Sequence, residues 1–172
     1  MKKASIGLVL LISAFLFTPG QLKAQNKAKD IDQSYIGAFG EKPTAAEMDY
    51  WMKQPDMPVL KRLDAHRAYM KANPSAGEKA INKSYMYDFG RLPSRAEIDY
   101  WLPQNQLFLE LTQKHLAYLQ SNNKEWMETV ARAYIFITNG KRPAAADLNT
   151  WGAVPRVDFM ELGEQMKRGG VR

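Results

Sequence analysis

The sequence predicts an all-α protein: three tandem three-helix repeats of about 50 residues stacked into one helical array. Three observations predict it. A segment recurs at an offset of 50 positions, its apolar residues fall at helical spacing, and the same turn and cap chemistry punctuates each copy. In the first copy the signature is Ile31, Tyr35, Phe39, Gly40, Pro43, Glu47, Asp49, Tyr50 and Trp51. The second repeats it as Ile81, Tyr85, Phe89, Gly90, Pro93, Glu97, Asp99, Tyr100 and Trp101. The third is looser, with Tyr134, Gly140, Pro143, Asp147, Thr150 and Trp151. Its Gly, Pro and Trp keep the offset while the preceding helix is one residue out of step. Self-similarity at such a period is the mark of a repeat architecture.

Residues 1–24 read as a secretory signal peptide: Lys2 and Lys3 form the charged start, Ile6 to Phe17 an apolar run, and Ala24 a small residue before the expected cut. The run is shorter than the ~20 residues that span a bilayer. Cleavage removes Lys2, Lys3 and Lys23 and takes the formal net charge from +6 to +3. Mature units are expected at 25–74, 75–122 and 123–168, with 169–172 a flexible tail.

Within each unit, helix A carries an apolar stripe at i, i+4, i+8: Ile31, Tyr35 and Phe39, then Ile81, Tyr85 and Phe89. In the third copy Trp126, Val130, Tyr134 and Ile137 take this role. Gly40, Gly90 and Gly140 are expected to stop it in the left-handed conformation. Helix B opens on a capping box, Thr44 with Glu47 and Ser94 with Glu97, each just after a proline. Ala144 lacks the hydroxyl, so the third helix B should start less firmly. Its inner side is Met48/Trp51, Ile98/Trp101 and Leu148/Trp151, which predicts three buried tryptophans. Prolines at 55, 58, 103 and 155 lead into helix C. That helix has the stripes Leu60, Leu63, His66 and Met70; Phe108, Leu111, His115 and Leu119; and Phe159, Leu162 and Met166. Ser75 with Glu78 matches a further capping box at the start of the second helix A.

A chain of this size buries about two-thirds of its unfolded surface and needs neither metal nor disulfide to fold. It has no cysteine, which tolerates an oxidising compartment and excludes a lipid-modified N-terminal Cys. Charges of both signs are interspersed, which argues against a nucleic-acid partner.

The pattern Tyr85, Gly90-Arg91, Pro93, Glu97, Asp99, Tyr100-Trp101 resembles the bacterial domain-of-unknown-function 4214 family and, more distantly, the phycobilisome linker domain. The likeness covers most of residues 31–168. Glu41 and Lys141 stand where that family prefers arginine, and Thr150 replaces the tyrosine before the third tryptophan. The resemblance implies a helical fold common in secreted or surface proteins, and no catalytic residues.

Three groups of residues invite chemistry. His66 and His115 each lie in a His-x-x-Tyr pattern, yet both fall on the helix C stripe where the third copy has Met166, which reads as packing rather than metal ligation. Glu47/Asp49 and Glu97/Asp99 could form acid pairs for glycoside hydrolysis, but capping and the helix dipole explain them without catalysis. The residues singled out for a ligand or an inter-repeat contact are Tyr50, Tyr100 and Trp126. Tyr50 and Tyr100 lie about 200° around helix B from Met48 and Ile98, so they are expected to pack on the following copy, with Thr150 facing water. Trp126 is expected in the core of the third helix A. The function these features predict is an exported, non-enzymatic helical-repeat protein. It would bind or scaffold a protein or envelope component, with no cofactor, no nucleic acid and no stable membrane insertion once the signal is removed. The alternatives are a carbohydrate-binding module using exposed aromatics and a hydrolase using the acid pairs.

Overall fold

The structure, a computed structural model of the chain, describes residues 19–172. Residues 1–18, which hold the charged and apolar parts of the expected signal peptide, lie outside the described residues. The described chain is all-α: α1 Pro19–Phe39, α2 Ala45–Lys53, α3 Val59–Ala72, α4 Pro74–Phe89, α5 Arg95–Trp101, α6 Phe108–Ser121, α7 Asn123–Ile137, α8 Ala145–Gly152 and α9 Phe159–Arg168. A short 3-10 turn at Leu102–Gln104 extends α5. No helix among the described residues is long and apolar enough to cross a membrane.

The three expected A helices are α1, α4 and α7. Ile31 and Tyr35, Ile81, Tyr85 and Phe89, and Trp126, Val130 and Tyr134 are buried along them. Helix α1 begins well before Ile31 and runs through the expected cleavage position; on it, Lys27 Nζ donates to the carbonyls of Met52 and Gln54 at the end of α2. Gly40 and Gly90 end their helices at φ 71° and 66°. In the third unit the stop differs from the expected one. There α7 closes at Ile137, two residues earlier relative to its glycine, with Asn139 left-handed at φ 54°, and the Gly140 N–H bonds to the Ile135 carbonyl at 2.8 Å. Two successive positive-φ residues absorb the one-residue slip seen in the sequence.

Both capping boxes close. The Thr44 and Ser94 hydroxyls accept from the N–H of Glu47 and Glu97, whose carboxylates accept from the cap N–H at 2.7 Å. At α8 only the return bond exists, Ala144 N–H to Asp147 at 2.9 Å, because alanine offers no acceptor. The expected box at Ser75 does not form. Helix α4 starts two residues earlier than a Ser75 cap would place it, with Asn73 as its cap residue and Pro74 in its first turn, where a missing N–H costs nothing.

The stripe expected on α3 is corrected at one position. Leu60 is 75% exposed and Arg62 is buried. On a helix at 100° per residue, Leu60 lies about 120° from His66, whereas Arg62 and Met70 lie about 40° to either side. Arg62 therefore takes the place that Leu111 and Leu162 hold on α6 and α9. Its Nη2 donates to the Met57 carbonyl, and Nε and Nη1 have no protein partner. The α6 and α9 stripes are buried as expected.

Helix α1 packs on α3, α4 on α6 and α7 on α9, with α2, α5 and α8 laid across them. Helix α6 also packs on α1, and α9 on α4. Two glycines make these crossings close. A Cβ on Gly40 would lie 2.6 Å from the Phe108 ring, and one on Gly90 2.3 Å from Phe159, while one on Gly140 would meet nothing within 4 Å. The larger core gathers Ile81, Tyr85, Leu111, Leu119, Trp126 and Leu162; a smaller one joins Ala38, Met70, Ala80 and Leu107. The last residues, expected to fray, carry a hydrogen-bonded cap: Gly170 is left-handed, the Val171 N–H reaches the Met166 carbonyl at 3.0 Å, and Val171 packs against the core.

Candidate functional site

Tyr50 and Tyr100 do not pack on the following copy. They are 57% and 63% exposed and stand edge-on to their own neighbours Trp51 and Trp101. The following unit is reached through α6 and α9, so the short B helices are left outside that contact. Thr150 is exposed too, with its hydroxyl turned back to the Ala146 carbonyl. The tryptophans are corrected as well. Trp51, Trp101 and Trp151 are half-buried. The fully buried one is Trp126, whose Nε1 donates to the Gly152 carbonyl at 2.9 Å and ties α7 to α8.

The uncovered sides of Trp51 and Trp101 each face a cavity. In the second unit Tyr85, Phe89, Tyr100, Trp101 and Tyr118 wall about 480 Å³, with His115 at the base and Arg91, Glu97 and Lys114 among the lining. In the first unit Tyr35, Phe39, Tyr50, Trp51 and Tyr69 wall about 420 Å³, with His66, Glu47 and Ala65. The same helices position the same side chains. Helix A supplies Tyr and Phe, helix B supplies Glu, Tyr and Trp, and helix C supplies His and the last Tyr. One hydrogen bond locks the geometry in each: Trp51 Nε1 donates to Tyr35 Oη at 3.1 Å, and Trp101 Nε1 to Tyr85 Oη at 3.0 Å. Burial raises the pKa of both tyrosines, that of Tyr85 to about 12, so they remain neutral acceptors.

The electrostatics of the two cavities differ. In the second, Arg91 forms a bidentate pair with Glu97, Nη1 to Oε2 at 2.9 Å and Nη2 to Oε1 at 2.8 Å, and reaches Glu125 at 3.4 Å. Its guanidinium lies 5.1 Å from the Tyr85 ring centroid and 5.4 Å from that of Phe89, and Lys114 lies 5.4 Å from Trp101. The hydrogen bond from Arg91, more than any other contact, holds the Glu97 carboxyl down to about 2. In the first unit Glu41 follows the helix-ending glycine where Arg91 does in the second, and Ala65 replaces Lys114. Glu41 is drawn aside by Lys83, and Glu47 keeps only its bonds to Thr44. A second hollow of about 270 Å³ shares Tyr35, Phe39, Glu47 and Tyr69 with the first.

The histidines sit beneath these cavities. His66 Nε2 is 3.2 Å from the Ser34 hydroxyl, and its ring meets Tyr35, Phe39 and Trp51 edge-on. Desolvation, then the nearby Arg62 charge, lowers it to about 4. His115 Nδ1 is 2.7 Å from Asp88, a buried carboxyl whose burial raises its pKa against the opposing effect of the imidazole. His115 Nε2 has no protein partner and almost no accessible surface. Among the described residues no three His, Cys, Asp or Glu side chains converge as metal ligands would. The carboxylates of each expected acid pair diverge: Glu97 turns to Ser94 and Arg91, while Asp99 pairs with Arg95; Asp49 pairs with Lys53.

Asp88, Ser34 and Arg62 are buried polar groups, and Tyr69 and Tyr118 cavity walls, that the stripes and motifs of the sequence do not by themselves single out. The signal for Asp88 was present. It lies three residues after Tyr85 and seven after Ile81, on the apolar side of its helix. The signal for the tyrosines was the repeated His-x-x-Tyr, which places each of them on the same side of helix C as its histidine.

Compared with family models, with curated proteins and with solved structures, the chain matches none.

Proposed function

We propose that this chain is an exported, non-enzymatic binding protein built as an array of three helical units, which recognises its partner through the aromatic cavities of the first two. The observation that carries the reading is the recurrence of one cavity at the same offset, with the same tyrosine-to-tryptophan brace and an uncovered tyrosine at its mouth. A tyrosine left half in water at two equivalent positions does nothing for the core, and exposed aromatics beside a concave, mostly apolar wall are what a binding site presents. The array reading rests on the sequence period and on the recurring crossings at Gly40 and Gly90. Export rests on the first 24 residues, and the lack of catalysis on the divergence of the acid pairs and the sealed His115 Nε2.

Capture of partners from the envelope fraction tests the proposal. Wild-type protein should retain a specific component that Tyr50→Ala/Tyr100→Ala does not, and protein recovered from that fraction should begin at Gln25. Identical capture by the double variant would remove the cavities from the mechanism. A second reading, carbohydrate stacking, is favoured by the exposure of Tyr100 above a cavity with polar groups in its lining. Loss of glycan binding with Tyr100→Ala would support it.

A further inference from the structure

The two cavities have equivalent aromatic walls and differ in charge, with Arg91 and Lys114 in the second where Glu41 and Ala65 stand in the first, and the arginine identifies a ligand. In the second unit the space beside Tyr85, Phe89 and Glu97 is filled by the Arg91 guanidinium, bonded by two parallel N–H···O contacts and lying over both rings. This is a built receptor for a planar cation, because a carboxylate fork and aromatic faces together match the charge and shape of a guanidinium. In the first unit Tyr35, Phe39 and Glu47 stand in the same places on the same elements. The residue after the left-handed glycine is Glu41, which pairs with Lys83 in the lining of the adjoining hollow and leaves Glu47 without an arginine. Among the described residues Glu47 makes no ion pair; its carboxylate is held in position by the Thr44 N–H and hydroxyl. Lys79 and Lys83 line the adjoining hollow; Lys83 is paired with Glu41, and neither lysine forms a salt bridge with Glu47.

We infer that the first unit's cavity binds a guanidinium group from outside the chain, seated between Glu47 and the rings of Tyr35 and Phe39 as Arg91 is seated in the second. This names the ligand chemistry of a site whose functional use rests on the proposal above. The cation could belong to an arginine side chain of a partner protein or to a free guanidinium compound, and the chemistry at Glu47 is the same.

Calorimetric titration of the purified protein with methylguanidinium, and with an N-acetylated, C-amidated Gly-Arg-Gly peptide, tests it. One equivalent should bind, uncharged methylurea should not, and Glu47→Gln should weaken binding by about ten-fold or more, the worth of a charge-assisted bond. Two reciprocal variants guard against a folding artefact. Glu41→Arg should supply an internal occupant, abolish binding and raise the melting temperature. Arg91→Ala should open the second cavity and double the stoichiometry. Tighter binding of the peptide than of methylguanidinium assigns the cation to a protein side chain; equal affinity assigns it to a free small molecule. No saturable binding, equal binding of methylurea, or full binding by Glu41→Arg would overturn the inference. The titration contains no envelope partner, so it can fail while the capture experiment succeeds, and the reverse.

Discussion

His66 shows how one residue acquires a pH dependence from its surroundings. Its ring is wedged among Tyr35, Phe39 and Trp51 and lies near the buried Arg62 charge, so protonation in the folded chain is disfavoured and its pKa falls to about 4. The unfolded chain protonates near 6.5. Between these values the unfolded state holds more protons, so stability is complete above pH 6.5 and is lost as pH falls toward 4, by about 3 kcal/mol in all. His66→Gln keeps a hydrogen-bonding group near Ser34 and removes the titration. Denaturant unfolding at intervals from pH 7 to 4 should show a slope in wild type that is reduced in the variant; parallel slopes would mean that His66 titrates alike in both states.

Helix starts are where the elements differ among themselves. Ser94 satisfies a backbone N–H of α5 that no residue inside the helix can reach, and Glu97 returns the bond while holding Arg91. Ser94→Ala should therefore cost about 1 kcal/mol, the usual worth of an N-cap. The third unit allows the converse. Helix α8 has the return bond from Asp147 and lacks only the hydroxyl, so Ala144→Ser should gain about 0.5–1 kcal/mol. Opposite shifts of the unfolding midpoint in the two variants are expected, and equal shifts would mean that the cap is not what distinguishes α8 from α5. These boxes could be read from the sequence because each spans four residues and depends on nothing farther away. The box expected at Ser75 failed because Pro74 starts α4 two residues earlier than that cap would, a competition between two local signals.

Across the whole molecule, the contact between units runs through glycine. Gly90 must be left-handed to end α4 and must also leave room for Phe159 of α9, whereas Gly140 has the first constraint and open space above it. Gly140→Ala should then cost only the left-handed strain, about 1–2 kcal/mol. Gly90→Ala should add an overpacking penalty of about 1–3 kcal/mol, and its larger loss of stability can be measured by denaturant titration of the two variants side by side. Equal losses would mean that the α4–α9 crossing yields without cost.

Properties that act over a turn or two of chain are legible without the fold: an all-α architecture, the positions of the helices, the glycine and capping-box boundaries, and the stripes on α4, α6 and α9. Hydrogen bonding and helical period operate within about eight residues, and the 50-residue recurrence made each signal legible twice. Tertiary structure alone decided which aromatics face water. Tyr50 and Tyr100 are directed away from their own core by helix period, but whether another unit covers them depends on where α6 and α9 cross, and those crossings leave the tyrosine side of helix B uncovered. It also decided that Arg62 would occupy a leucine's place and that Asp88 would meet His115. Burial is a property of neighbours distant in sequence, and charge on an apolar stripe reads as an exception until its partner is brought beside it. The functional contrast between the cavities lies between these two levels. Arg91 and Glu41 are plain in the sequence, but only the folded chain places the arginine over Tyr85 and Phe89 and turns the glutamate toward Lys83.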